Sequence, residues 1–256
     1  MNIFVCLKQT PARDSVIRPA EDEKWIDESD LTYEMNEPDA FALEEGLRLK
    51  EKHGGEVVAV SAGPERTGAA IREALAKGAD RGILVEDDGF AHADTLATAK
   101  ALAAALATES PDIILTGLQS DDAGFGQTGV VLAELLNLPH ATIIMEVNVA
   151  DDGIQVKREL EAGWFQNIEI PLPALLTIQS GINKLRYATL MGIKKAKKKP
   201  LDRHTAQDLG VVPEVSQTIE RLYTPVKTKE TQFLEGSPKE AAEKLAEKLK
   251  FEARIL

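Results

Sequence analysis

The run GFGQTG, Gly124 to Gly129, is where residue types and spacing in this chain best suit chemistry. Gly126, Gln127, Thr128 and Gly129 stand where a helix is expected to open. Free backbone N–H groups and the positive end of the helix dipole at such a place bind anions, phosphate above all. In that reading Gly129 lets the backbone approach a ligand closely, and the Thr128 hydroxyl donates to a phosphate oxygen. The run also spells G-x-G-x-x-G, and Glu146 follows about 20 residues on, as in a dinucleotide fingerprint. That fingerprint belongs directly after the first strand of a sheet, whereas this run follows the fourth. Asp121 and Asp122 just ahead of it would also repel a pyrophosphate. An ordinary glycine-rich turn, with Thr128 as an internal cap, is the competing reading.

The rest of the chemical inventory is sparse. His53, His92, His140 and His204 lie far apart, without metal-ligand spacing to Cys, Asp or Glu, and read as surface or loop residues. The single cysteine, Cys6, sits in an apolar run and reads as a buried thiol rather than a nucleophile. There is no G-x-S-x-G, no H-E-x-x-H and no Walker lysine. No catalytic residue and no metal site are therefore expected.

Composition narrows the classes further. The 256 residues carry a formal net charge of −12 and a pI near 4.9, which argues against general nucleic-acid binding. No apolar run approaches the roughly 18–20 residues of a membrane span. MNIFVCLKQ lacks the make-up of a signal peptide, and one cysteine fits a reducing compartment, so a cytoplasmic protein is expected. Against the acidic background, NKLRYATLMGIKKAKKKP (183–200) holds seven cations and no acid. Leu190 precedes its lysines in a run too irregular for a core element.

The elements that must position these residues alternate along the first half. IFVCL, EVVAVSAG, GILVE and DIILTG are short apolar runs of strand type. Between them come helical patterns. One places Ala40, Leu43 and Leu47 on a face, with Asp39 as its N-cap and Gly54–Gly55 as its stop. Another covers about 66–77, with Ile71 and Leu75 paired, and closes at Gly78. A third covers 93–108 with a stripe of Leu96, Ala99, Ala103 and Leu106. QTGVVLAELLN forms a fourth helix, stopped by Asn137–Pro139. This rhythm predicts an α/β fold with a parallel sheet covered on both faces, whose ligands bind beyond the carboxyl ends of the strands. From about Ala141 four closely spaced strand-like runs predict added, partly antiparallel strands, with Asp151–Asp152–Gly153 as a hairpin turn. After Thr205 the alternation ends in an arm of roughly 35 residues, which suits wrapping around a partner. A last helix opens at Ser237–Pro238 with Ala241, Leu245 and Leu249 on one face.

Several separated runs together resemble one family, the β subunits of electron transfer flavoproteins. They are CLKQT, MNEPDAFALEEGLRLKE, VSAGP, LAKGADRGI, GLQSDDAGFGQTG, VKRELEAGWFQNIEIPLPALLTIQ and NKLRYATLMGIKKAKKKP, in order over most of the chain. The resemblance implies an adenine nucleotide α-hydrolase-like, Rossmann-like domain over 1–200 and a C-terminal arm and helix over 201–256 that wraps a larger α subunit. It implies an electron carrier rather than an enzyme, with a structural AMP in the β subunit and the redox FAD held mainly by the α subunit. Electrons would come from acyl-CoA or methylated-amine dehydrogenases and pass to a quinone oxidoreductase or another acceptor.

Carried onto this sequence, the AMP site comprises Cys6, Asn36, Glu37, Pro38, Asp39, Ala62, Asp121, Asp122, Gly126, Gln127, Thr128, Gly129 and Val130. Segment 183–199 is implied to be the recognition loop, with Leu190 as its apolar anchor and Tyr187, Lys194, Lys195 and Lys198 beside it. The run DDAGFGQTG is longer and richer in glycine than in animal forms, and resembles bacterial forms that serve amine dehydrogenases. An electron-bifurcating subgroup holds a second FAD in place of AMP and uses NADH, but usually departs from the Q-T-G seen here. Two other classes fit less well: an NAD-dependent or nucleotide-hydrolysing enzyme, and a stress-type nucleotide-binding module, which needs neither arm nor basic segment.

Overall fold

A computed structural model describes residues 1–150, 153–226, 229 and 231–255. The first strand, β1 (Asn2–Cys6), alternates strictly about the sheet. Ile3 and Val5 point to one face, Phe4 and Cys6 to the other, and all four are buried, so the strand needs a covering layer on both sides. A small antiparallel ribbon follows, β2 (Gln9–Pro11) with β3 (Tyr33–Met35), closing the loop 12–32 on itself. Then come α1 (Glu37–His53), β4 (Glu56–Gly63), α2 (Gly68–Lys77), β5 (Arg81–Glu86), α3 (Thr95–Leu106), β6 (Ile113–Gly117) and α4 (Thr128–Leu135). The second half adds β7 (His140–Ala150), β8 (Gly153–Glu159), β9 (Phe165–Ile170), β10 (Ala174–Ile178), α5 (Leu190–Ala196), β11 (Leu201–His204) and α6 (Pro238–Glu247).

Nine strands form one sheet in the order β11-β5-β4-β1-β6-β10-β7-β8-β9. Every neighbouring pair is parallel from β11 through β7, and β7, β8 and β9 run antiparallel. Helices α1, α2 and α5 cover one face, with Leu43, Leu47, Ile71 and Leu75 against Ile3, Val57 and Leu115. Helices α3 and α4 cover the other, with Leu102, Leu106 and Leu132 against Phe4, Val58 and Ile114. The α/β expectation therefore holds, including the antiparallel extension. The Asp151–Asp152 part of the expected hairpin turn lies outside the described residues.

Three expectations are corrected. Asp39 does not cap α1: Asn36 holds the N-cap position, Pro38 fills the first turn where no N–H partner is needed, and the Asp39 side chain turns elsewhere. The buried side of α3 is wider than the expected stripe: Ala99 and Leu106 are buried as expected and Ala103 packs partly buried, but Leu102 joins them and Leu96 stays outside the cluster. The sheet also runs past residue 200. β11 pairs with β5 at the edge, and Ala206, Leu209 and Val211 pack on the α3/α4 face, so the globular unit reaches about residue 211.

Beyond that, residues 212–226 contain no helix or strand. Asp94, the N-cap of α3, accepts the N–H groups of Ser216 and Gln217 at 2.6 and 3.0 Å, and Arg221 pairs with Glu23 at 2.6 Å. Helix α6 opens with a capping box between Ser237 and Glu240 and buries no residue against its own chain. Its Leu245, with Phe251 beyond, is exposed.

Candidate functional site

The chain leaves β1 through α1 for β4 on one side, and later returns through α3 to β6 on the other side of β1. The carboxyl ends of β1 and β6 thus form the fork at which open parallel sheets bind ligands. Asp39 stands in that fork. Its Oδ2 accepts the Lys8 N–H at 2.7 Å and its Oδ1 the Gly117 N–H at 2.9 Å, so one buried carboxylate ties both strand ends to α1. Burial pushes the Asp39 carboxyl up to about 6, and the two N–H donors limit the rise. Gly117 has no Cβ because one would collide with Pro38 and Asp39.

Asn36, only 1% exposed, organises the loop after β6. Its Oδ1 accepts the Asp121 N–H at 2.9 Å, and its Nδ2 donates to the Gln119 carbonyl at 3.2 Å. Each acid of that loop has a cation beside it. Lys8 Nζ pairs with Asp122 at 2.6 Å, and Arg13 bridges Glu37 and Asp121, the latter at 3.7 Å. The Glu37 N–H also donates to Asp121 at 3.3 Å. The repulsion expected from Asp121 and Asp122 toward an anion is therefore offset by Lys8 and Arg13, to neither of which the sequence reading assigned a role. Lys8 follows Cys6 by two positions, and that adjacency to a strand end was the available signal. Gln9 and Arg66, also missed, join the loops after β1 and β4 through two hydrogen bonds of 2.8 and 3.0 Å.

The glycine run then turns into α4. Gly124 and Gly126 have φ of 65° and 63°, a left-handed conformation open to glycine at little cost. Gln127 is the N-cap position but its side chain does not cap; its Oε1 instead accepts from Thr95 on α3 at 3.3 Å. Among the described residues no hydrogen bond takes the N–H of Gln127, Thr128 or Gly129. Three backbone donors and a half-buried Thr128 hydroxyl thus sit at the helix end, with Val130 behind them. This donor set fits a phosphate.

Gly129 also sits in close contact with the sheet. A Cβ there would come within 2.6 Å of Thr116 Oγ1 and 2.7 Å of Thr177 Cγ2. Its absence seats α4 closely on β6 and β10. Gly129→Ala is expected to destabilise by about 1–3 kcal/mol through overpacking, read as a lower thermal midpoint whether or not nucleotide is retained. Cys6 is buried on the α3/α4 face, and burial first, then the Asp39 carboxylate, pushes its thiol up to about 12. It lines the fork as an inert side chain. Ala62, half-buried, ends the same region on β4.

The basic segment lies elsewhere, on the α1/α2 face. Thr189 caps α5 by accepting the Gly192 N–H at 3.0 Å, so Leu190 starts a helix where the sequence reads as irregular. Leu190 is 81% exposed and Tyr187 93%. Lys194, Lys195 and Lys198 are exposed, and none pairs with an acid among the described residues.

The family model described as "Electron transfer flavoprotein domain" matches residues 24–209, from the ribbon loop to the end of the globular unit. The chain belongs to that family. It is 38% identical over 255 residues to the electron transfer flavoprotein subunit beta of Methylophilus methylotrophus, covering 96% of each chain. It is 35% identical over 261 residues to the subunit beta of Bacillus subtilis and 34% over 259 residues to the mitochondrial subunit beta of Oryza sativa, with full coverage of both. The chain is thus similar over its full length to electron transfer flavoprotein β subunits. Its Asp39 fork and its α5 helix are separate places on the electron transfer flavoprotein fold, joined by α1. No helix among the described residues is long and apolar enough to cross a membrane.

Proposed function

We propose that this β subunit keeps a structural AMP at the fork and helps to hold an FAD carried mainly by its α partner. It docks acyl-CoA or methylated-amine dehydrogenases through residues 183–199 and hands electrons on to a quinone oxidoreductase or a similar acceptor. The uncapped start of α4, set beside the Asp39 fork, carries the nucleotide reading. There the N–H groups of Gln127, Thr128 and Gly129 receive the phosphate, while Asn36 and Asp39 fix the loop and strand ends that frame the rest of the nucleotide. The flavin, when bound, supplies the redox chemistry. This chain's own contribution is to position, to exclude water and to dock. The arm from about 212, with the uncovered apolar side of α6, wraps the α subunit. The proposed setting is the cytoplasm.

Co-expression with the α subunit, followed by extraction and chromatography of the bound nucleotides, tests this reading. Equimolar AMP and flavin are expected. Flavin in twofold excess over heterodimer would replace the AMP reading with the bifurcating one, in which a second FAD occupies the fork and NADH is the donor.

A further inference from the structure

The basic segment is held at both of its ends. At its start, the half-buried guanidinium of Arg186 reaches two acids of α1. Its Nε and Nη2 donate to Glu44 at 2.7 and 3.1 Å, and its Nη1 and Nη2 donate to Glu51 at 2.6 and 3.2 Å. Glu44 is 5% exposed, so its arm of this forked ion pair is largely desolvated, while the Glu51 arm lies at the surface. Three residues earlier, Asn183 Nδ2 donates to the Phe41 carbonyl at 3.2 Å and to Glu45 at 3.1 Å. At the far end, Arg72 on α2 donates to the carbonyls of Ala196 and Lys199 at 2.8 and 3.0 Å, closing the C-terminal end of α5. Lys199 Nζ in turn donates to the carbonyls of Leu75 and Ala79, which accounts for one lysine of the run as structural. Between these two clamps Tyr187, Leu190 and Met191 are left exposed.

A flexible basic loop would have to be ordered at each encounter, which costs on the order of 0.5–1.5 kcal/mol per immobilised side chain. Here that ordering is already done in the free subunit. The apolar faces of α1 and α2 lie mainly against the sheet, with Ala196 joining that core and Ile182 and Leu185 packed on it, and Arg48 also donates to Glu44 at 3.1 Å. We infer that Arg186 and Arg72 are positioning residues for docking, holding α5 so that Leu190 meets a dehydrogenase in one orientation. The inference rests on the reading of 183–199 as the docking segment.

The test uses the flavin-loaded heterodimer carrying Arg186→Ala, Arg186→Lys, Arg72→Ala or Leu190→Ala, and the Arg186→Ala/Leu190→Ala double variant. One readout is amide hydrogen exchange over residues 187–197. The other is steady-state reduction by purified acyl-CoA dehydrogenase and methylated-amine dehydrogenase from the same cell. Arg186→Ala is expected to raise exchange in that segment and to raise KM for the heterodimer on the order of tenfold, with kcat held. Lysine, which lacks the fork, recovers only part of this. In the Leu190→Ala background Arg186→Ala adds little, because its effect runs through the leucine. Unchanged exchange, raised exchange with an unchanged KM, fully multiplicative effects in the double variant, or loss of flavin or AMP alongside the KM change would each overturn the inference alone. An unchanged KM for Leu190→Ala, or reduction by neither dehydrogenase, would overturn the docking reading and the inference together.

Discussion

Asp39→Ala is expected to cost the heterodimer about 2–3 kcal/mol of stability at pH 7.5 and most of its bound nucleotide. The variant leaves the N–H groups of Lys8 and Gly117 without their acceptors at the fork. Each unsatisfied buried donor costs about 1–3 kcal/mol, and the gain from no longer burying a charge offsets part of that. The balance shifts with pH in a definite direction. Folding raises the Asp39 carboxyl from an ordinary 3.8 to about 6, so the folded state binds the proton more tightly than the unfolded state. Its contribution to wild-type stability is full below about pH 4 and is lost as pH rises through 6. The alanine variant lacks this term, so its deficit should grow by about 2 kcal/mol between pH 7.5 and pH 4.5. Urea unfolding of both heterodimers across that range measures it. A deficit that is constant, or that shrinks toward acid, would mean the carboxylate is not held as described.

Leu190→Ala is expected to slow electron transfer from the dehydrogenase about 30-fold at limiting carrier concentration, the loss of one apolar anchor worth about 2 kcal/mol. The side chain is exposed at the start of α5 and fills no part of the core. Stability, flavin content and AMP content should stay within the small range of a surface change. Stopped-flow reduction of the heterodimer at several concentrations separates the two effects. The neighbouring lysines act differently. If the charge at Lys194, Lys195 and Lys198 steers encounter, neutralising them should flatten the salt dependence of the rate more than it lowers the maximum. An unchanged salt dependence would mean they only offset the acidic body of the subunit.

The parallel sheet was legible because each strand is a short run buried on both faces, as in Ile3–Cys6 and Ile113–Gly117, and such runs need no tertiary information to be recognised. The strand-end segment Asp121–Gly129 followed from that sheet, whereas Asn36–Asp39 came only from the family resemblance. Individual roles were less visible. Asp39 has the residue type of an N-cap at nearly the right position, yet its acceptors are taken by N–H groups 31 and 78 residues away. Gly129 invites a ligand argument, and only the closeness of Thr116 and Thr177 reveals its additional part in helix packing. The order in α5 was hidden because seven residues rich in lysine give no strong periodic signal. The Thr189 cap and the Arg186 and Arg72 clamps supply it from outside the segment.

The separation between Glu44 and Arg186, 142 residues, has a consequence for the newborn chain. Helix α1 emerges from the ribosome roughly 7–30 s before the arginine that completes its acidic flank, at about 5–20 residues per second. β10, although made after β7, ends up between β6 and β7, so that part of the sheet is also completed late. Helix α5 is therefore among the later parts of the globular unit to be completed, followed by β11 and the packed residues up to Val211. A dehydrogenase that recognises it in its clamped form meets nearly finished subunits only, and half-made chains pass unengaged.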